Sequence, residues 1–279
     1  MTIFSGRLAQ HEPLSQPSWQ EPIKGVKLPY MLETFEHEYF LELRLCKKPV
    51  NALDSALMQA LIEAISQAQD GDKQAIVLTG APGMFSAGLD VPHLLTLSRD
   101  GMRQLWECFF LLTETIAKSS LPVVAAITGH SPAGGAVLAL YCDHRIMAEG
   151  DFRIGLNEVQ VGLPLPPPIY TALRYVVGAR QAERLAVRGL LISGEEALRI
   201  GLVDEIHPPD KVLSAATDWC RGWSQCPPVA RSKTRDLVRS ELVDSFAAID
   251  DMMLDSFVEA WFSDETQATM RAMVERLKK

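Results

Sequence analysis

Three short segments of this chain contain the residue types that a carbonyl-activating site needs. Two are glycine-bearing turns, residues 85–90 (FSAGLD) and 131–136 (SPAGGA), and the third is residues 155–158 (GLNE), which end in a glutamate. Two backbone N–H groups that converge on one carbonyl oxygen stabilise the negative charge developing there, and losing one such donor costs roughly 3 kcal/mol of barrier. The set therefore predicts enolate or tetrahedral-intermediate chemistry, with Glu158 as the candidate base.

The second glycine turn leads directly into an apolar segment, residues 136–141 (AVLALY), which is typical of a buried helix. The first N–H groups of such a helix have no partner within it and lie at the positive end of its dipole, so they favour an anion or an oxyanion. Gly134 and Gly135 could instead only allow close packing in a tight turn. The presence of a second glycine turn favours the oxyanion interpretation.

Glu158 lies in a mostly apolar segment bounded by glycines, residues 154–162 (IGLNEVQVG). Burial would raise the pKa of its carboxyl toward the range useful for proton transfer. The alternative is an ordinary surface carboxylate in a loop. Asn157 could orient Glu158 or a substrate, or could simply tolerate a turn conformation.

Other polar residues near these segments favour structural roles. Asp90 is predicted to cap the helix that follows it, and Asp143 to close a hydrogen-bond network. His93 and His130 lie next to the two turns and are secondary candidates, but a lone histidine is more often an ordinary hydrogen-bonded residue. Ser131 does not fit a serine-hydrolase elbow, because alanine replaces the last glycine of that motif.

The elements around these segments follow an alternating pattern. Residues 31–45 alternate apolar and polar side chains and predict an edge hairpin, and Asp54 is placed to cap a helix. Apolar strands are predicted at residues 74–79 and 123–127, each leading directly into one of the glycine turns. Helices between the strands complete β-α-β units, so the prediction is an α/β fold.

The chain divides into three parts by pattern. Residues 1–29 contain four prolines and predict an irregular arm, and residues 30–206 form the α/β core. Residues 207–279 are helical by pattern and carry several large aromatic side chains, so we expect a helical region that packs on the core or on another subunit.

Composition excludes several functional classes. A net charge of −8 and a pI near 5.3 argue against a protein that binds nucleic acid by neutralising phosphates. Five cysteines without a CxxC pair indicate neither a disulfide framework nor a metal site. We find no apolar stretch of membrane-spanning length and no secretory signal, so we expect a soluble, cytoplasmic protein without a membrane partner.

Four segments resemble the crotonase superfamily, also called the enoyl-CoA hydratase/isomerase family: residues 85–90, 133–135, 142–148 (CDHRIMA) and 194–204 (GEEALRIGLVD). The resemblance covers roughly residues 30–240. It implies an acyl-CoA thioester as substrate, a spiral core of stacked β-β-α turns, and C-terminal helices that form a homotrimer or a dimer of trimers. It also implies that the N–H groups of Ala87 and Gly134 bind the thioester carbonyl. The CoA-lining residues that it implies are Ala87, Gly88, Leu89, Asp90, Val91, Gly134 and Asn157.

Hydratases of this family typically use two glutamates, and the resemblance places Val137 where the first would stand. A valine can neither activate nor position water. Residues 155–158 are similar to the corresponding segment of Δ3,Δ2-enoyl-CoA isomerases, in which one glutamate moves the proton. The resemblance therefore implies conversion of 3-enoyl-CoA to 2-enoyl-CoA through a dienolate, with Glu158 as the single base and no cofactor beyond the CoA of the substrate.

Two further hypotheses remain at this point. One is another thioester reaction on the same scaffold, hydration or hydrolysis, which would differ by its use of water. The other is a catalytically quiet homologue that binds acyl-CoA. The proline-rich residues 162–168 (GLPLPPP) depart from the family pattern close to the expected acyl pocket, so the acyl chain length is not predicted.

Overall fold

Two sheets of different size build the core of the computed structural model, which describes residues 31–277. The larger has six strands in the order β1-β2-β3-β5-β7-β10, and the smaller has four in the order β4-β6-β8-β9. The strands are β1 (Leu32–Glu36), β2 (Phe40–Leu45), β3 (Ala75–Thr79), β4 (Gly83–Met84), β5 (Val123–Ile127), β6 (Gly129–Pro132), β7 (His144–Ala148), β8 (Arg153–Gly155), β9 (Ile192–Ser193) and β10 (Glu205–His207).

The large sheet begins with the antiparallel hairpin that the sequence predicts. β1 pairs with β2 in the register Leu32↔Leu45, and the remaining neighbours in this sheet are parallel. β3 is buried throughout, as is β5, which explains why both read as continuous apolar runs rather than alternating patterns. One face of the sheet packs against helices α1 (Ser55–Ala68) and α3 (Arg99–Lys118), and the other against α7 (Val212–Gln225).

The small sheet was not predicted. Each of the long strands β3, β5 and β7 is followed within a few residues by a short strand of the small sheet, β4, β6 and β8 respectively. The glycine turns therefore follow β4 and β6, not the long strands directly as the sequence suggested. Each repeat is a long strand, a short strand and then helical structure. This confirms the α/β fold and the stacked β-β-α turns that the resemblance implied.

The helices of the carboxyl-terminal half follow the sequence pattern closely. Gly178, with a φ of 75°, is non-helical and interrupts α5 (Pro167–Ala186). None of the helices within residues 31–277 is both long and apolar enough to cross a membrane. The remaining helices are α2 (Val91–Leu94), α4 (Gly134–Tyr141), α5 (Pro167–Ala186), α6 (Gly194–Ile200), α8 (Pro228–Asp244), α9 (Asp251–Trp261) and α10 (Asp264–Leu277).

The predicted division at residues 29/30 and 206/207 stays a prediction. The proline-rich arm, residues 1–29, lies outside the described residues. The helices α7 to α10 account for most of residues 212–277, in agreement with the helical pattern.

Candidate active site

The three segments singled out in the sequence follow three neighbouring parallel strands of the small sheet. β4 pairs with β6 in the register Met84↔His130, and β6 pairs with β8 in the register Pro132↔Gly155. Because parallel strands point the same way, their carboxyl ends meet at one edge of the sheet. The two glycine turns and the segment that carries Glu158 therefore leave the sheet side by side.

The two glycine turns are in direct contact. A Cβ atom added at Gly88 would lie 2.8 Å from the Gly134 nitrogen, and one added at Gly134 would lie 3.1 Å from the Gly88 Cα and 3.4 Å from the Leu89 nitrogen. Gly88 also has a φ of +85°, which disfavours any other residue. Glycine at both positions lets the backbones approach closely and brings the N–H groups of Leu89 and Gly134 near each other.

The hydrogen bonds identify which N–H groups are available at this contact. The Ala87 N–H donates to the Val50 carbonyl at 3.0 Å, so it is already used inside the protein. Within residues 31–277 neither the Leu89 N–H nor the Gly134 N–H has an acceptor. The structure thus corrects the donor role predicted for Ala87, and Leu89, predicted only as a CoA-lining residue, presents the free N–H group instead.

Asn51 holds the first glycine turn in place, and sequence reasoning missed it. Its side-chain nitrogen donates to the Phe85 carbonyl at 3.0 Å, and its own carbonyl accepts from the Ser86 hydroxyl at 2.8 Å. The Ser86 oxygen in turn accepts from the Gly88 N–H at 3.2 Å. The one signal in the sequence is that asparagine tolerates a positive φ, here 51°, but nothing local links residue 51 to residue 85.

Asp90 has the structural role that the sequence favoured. Its side chain caps α2 by accepting from the His93 N–H at 3.2 Å, and it accepts from the Lys47 ammonium at 3.0 Å. Lys47 also pairs with Asp54, the cap of α1, at 2.7 Å. This network ties the first turn to two helices. His93 itself is exposed.

The second glycine turn places the start of α4 at the site. Gly134 is the first residue of this helix, and every residue of α4 is buried. The Ala133 N–H donates to the Gly155 carbonyl at 2.8 Å, which joins the turn to the end of β8. Val137 is 1% exposed and contributes an apolar side chain to this helix.

Glu158 begins a short 3-10 helix, Glu158–Val161, directly beyond β8. Its Oε2 atom is buried and has no hydrogen-bond partner among residues 31–277. Desolvation by burial raises the pKa of this carboxyl to about 7, as the apolar surroundings in the sequence predicted. Glu158 as a whole is half-buried, but a carboxylate oxygen that is buried without a partner is costly to keep, and such groups cluster at functional sites.

Two neighbouring polar side chains differ in how they are used. The Asn157 Oδ1 atom is also buried and without a partner in the described part of the chain, so it can serve a bound molecule. The His130 Nδ1 atom accepts from the Arg153 N–H at 3.2 Å, and its ring packs edge-on against Phe152. Across residues 31–277 no cluster of three metal-binding side chains forms.

Comparison with known proteins gives consistent matches. The family model described as Enoyl-CoA hydratase/isomerase matches residues 40–279. The human mitochondrial enoyl-CoA delta isomerase 1 is 34% identical over 233 residues, covering 82% of this chain and 77% of the human protein. A probable enoyl-CoA hydratase of Mycobacterium avium is 34% identical over 182 residues, covering 65% of this chain and 70% of that protein.

Solved structures agree with the sequence matches. The crystal structure of human mitochondrial Δ3-Δ2-enoyl-CoA isomerase superposes with a TM-score of 0.85 at 30% identity, covering 88% of this chain and 98% of that one. The enoyl-CoA hydratase EchA3 of Mycobacterium ulcerans superposes with a TM-score of 0.75 at 29% identity, covering 83% and 99%.

Proposed function

This chain belongs to the enoyl-CoA hydratase/isomerase family, and from this membership we propose that it moves the double bond of a 3-enoyl-CoA to the 2-position with Glu158 as its single base. The observation that carries the proposal is the Glu158 Oε2 atom, which is buried and has no partner within residues 31–277. The segment of Glu158 leaves the small sheet next to the two turns whose N–H groups are free. The isomerase activity of the human relative supports the reaction type.

The N–H groups of Leu89 and Gly134 form the proposed oxyanion hole. They donate to the thioester carbonyl oxygen, which lies between the two glycine turns, where the positive end of the α4 dipole adds to their effect. As negative charge builds on this oxygen, the hydrogen bonds strengthen, and the protons on C2 become more acidic. The CoA moiety then lies along residues 87–91, and Asn157 faces the acyl group or Glu158.

Glu158 moves one proton between two carbons. Its carboxylate removes a proton from C2, the C2–H electron pair forms the dienolate, and the negative charge is held at the thioester oxygen. The resulting carboxylic acid then donates the same proton to C4, and the electrons return to form the C2=C3 double bond. No atom enters or leaves, so the reaction requires no cofactor beyond the CoA of the substrate.

Val137 favours isomerisation over hydration. Hydration needs a group that positions water at C3, and an apolar, fully buried side chain cannot do this. A dry site also strengthens the hydrogen bonds in the oxyanion hole. Hydratases do occur among the relatives, so the product must be identified directly.

The decisive experiment is turnover of 3-enoyl-CoA and 2-enoyl-CoA substrates by the purified protein, with products resolved by mass. We expect double-bond migration without a change in mass, and a fall in kcat of at least about 1000-fold in Glu158→Gln, since an amide cannot accept the proton. Glu195→Gln, which changes an exposed glutamate on α6, is the matched control. A product heavier by one water, or full activity in Glu158→Gln, contradicts the proposal.

The pH dependence offers a second measurement on the same enzyme. Only the ionised carboxyl is a base, so kcat/KM is expected to fall about tenfold per unit as the pH drops below the Glu158 pKa of about 7. Above that pH it should level off. A flat profile between pH 5 and 8 would exclude Glu158 as the titrating base.

A further inference from the structure

The carboxyl-terminal helix α10 packs against two parts of the candidate site. It contacts the 3-10 helix Glu158–Val161, which begins with the proposed base, and it contacts α2, which directly follows the first glycine turn. The helix therefore bridges the segments that carry the base and the oxyanion hole, although it lies more than a hundred residues further along the chain.

One side chain makes the hydrogen bond between α10 and the segment of the base. Thr266 is fully buried, and its Oγ1 atom donates to the Gly162 carbonyl at 2.7 Å. The Ser263 hydroxyl oxygen, just before α10, lies 3.0 Å from the same Oγ1 atom and accepts from the Thr266 N–H at 3.3 Å. Thr266 is thus held at the first turn of its helix and cannot easily turn away.

The absence of a side chain at Gly162 lets Thr266 approach its backbone closely. It ends the 3-10 helix in a left-handed conformation with φ 82°, and a Cβ atom there would lie 3.0 Å from the Thr266 Oγ1 and 3.2 Å from its Cα. The next residue, Leu163, donates its N–H to the Glu158 carbonyl at 3.0 Å. A single backbone turn therefore joins Gly162, to which Thr266 donates, with Glu158, the proposed base.

We propose that Thr266 is a positioning residue: its hydroxyl fastens α10 to the turn that carries Glu158, and this contact keeps the carboxyl in place and bulk water away during proton transfer. The proposal rests on the function proposed above. The physical reason is that a carboxylic acid holding the substrate proton exchanges it with any water that reaches it. A closed site returns the proton to C4, whereas an open one replaces it with a proton from solvent.

The test uses Thr266→Val, which keeps the shape and removes the hydroxyl, beside Thr266→Ser, which keeps the hydroxyl. Isomerisation is run in D2O, and the deuterium content of the 2-enoyl-CoA product is measured together with kcat and KM. For Thr266→Val we expect several-fold more deuterium per turnover and about a tenfold lower kcat, with KM changed less than about threefold. Thr266→Ser should restore both quantities most of the way.

Thr217→Val is the matched control. The Thr217 hydroxyl also donates to a backbone carbonyl, that of Leu213 at 2.9 Å, but on α7, which packs on the large sheet. The Thr217→Val variant should have the same deuterium content in its product and the same kcat as the wild type. If Thr266→Val does not fold, Gly162→Ala attacks the contact from the other side, because its Cβ would push against Thr266. It should likewise raise the deuterium content.

The outcomes separate this inference from the proposed function. If Thr266→Val melts at a lower temperature but keeps the wild-type deuterium content and kcat in the folded protein, Thr266 is only structural and the inference is wrong. If Glu158→Gln retains isomerase activity, the proposed function fails whatever the threonine variants do.

Discussion

The Oε2 atom of Glu158 and the N–H groups of Leu89 and Gly134 share one property: each has no hydrogen-bond partner within residues 31–277. Buried polar groups are normally satisfied, because an unmade hydrogen bond costs free energy. In the proposed reaction, the missing partners are the thioester carbonyl oxygen and an acidic C–H group of the substrate. At the residue scale, therefore, the candidate site is recognised by polar groups that make no hydrogen bond within the described part of the protein.

Gly134→Ala should impair catalysis by separating the two turns. The new Cβ would lie 3.1 Å from the Gly88 Cα and 3.2 Å from a Leu53 methyl group, so one backbone must move, and the two N–H groups would no longer converge. Steady-state kinetics should show kcat reduced about 100-fold, the usual scale for a lost oxyanion donor.

Gly222→Ala on α7 controls for this substitution, because a Cβ there meets nothing within 4 Å. It should keep the wild-type kcat and gain up to about 1 kcal/mol in stability from helix propensity. Equal kcat for Gly134→Ala and the wild type would argue against an oxyanion hole at this contact.

At the scale of elements, the repeat of long strand, short strand and helical segment places the site. Three successive repeats place the first glycine turn, the second glycine turn and Glu158 at adjacent strand ends.

A network of ion pairs and hydrogen bonds at the amino end of β5 holds the α8 helix to the core. There Asp143 accepts from the Val123 N–H at 2.9 Å and from Arg235 at 2.6 Å, and it pairs with Arg239.

Asp143→Ala should therefore destabilise the protein without affecting its chemistry. Removing one partner from a buried ion-pair network leaves the other charges uncompensated and costs roughly 3 kcal/mol or more. Urea unfolding should show this loss, while kcat per folded molecule stays within about threefold of the wild type. Asp218→Ala, which breaks an exposed pair with Arg221, should cost less than about 1 kcal/mol. Equal stability of the two variants would mean that the network is not what holds α8.

At the scale of the whole molecule, the raised pKa of Glu158 makes the stability of the folded protein depend on pH. Its folded pKa of about 7 lies above the ordinary value of 4.5, so the stability it contributes is present below about pH 4.5 and is lost as the pH rises through 7. Glu158→Gln should thus equal the wild type in stability below about pH 4.5 and exceed it by about 3 kcal/mol at pH 8.

Denaturant unfolding at several pH values measures this difference. Glu195→Gln, at an exposed site, should follow the wild type throughout. If the Glu158→Gln and wild-type curves coincide at pH 8, the carboxyl is not desolvated in the folded protein.

The assembly of the protein stays a prediction. The resemblance implies a homotrimer or a dimer of trimers formed by the carboxyl-terminal helices. α8 exposes Val229, Leu237 and Val238, with Leu237 73% accessible in the single chain. The cytoplasmic location also remains a prediction.

The sequence by itself determined the features that depend on neighbouring residues. The long buried strands, the helices and the caps at Asp54 and Asp90 all follow from local runs of apolar residues and from short-range hydrogen bonds. The four motifs also sufficed to indicate the family, because their order along the chain is specific.

Only the tertiary structure decided which backbone groups are free. The strands of the small sheet are two to four residues long and include glycine and proline, so no periodicity marks them. The choice between Ala87 and Leu89 as donor depends on the carbonyl of Val50, and the hydrogen bond from α10 to the turn that follows Glu158 depends on Thr266. Hydrogen bonds between residues far apart in the chain exist only after folding, so the availability of a donor cannot be read from the residues beside it.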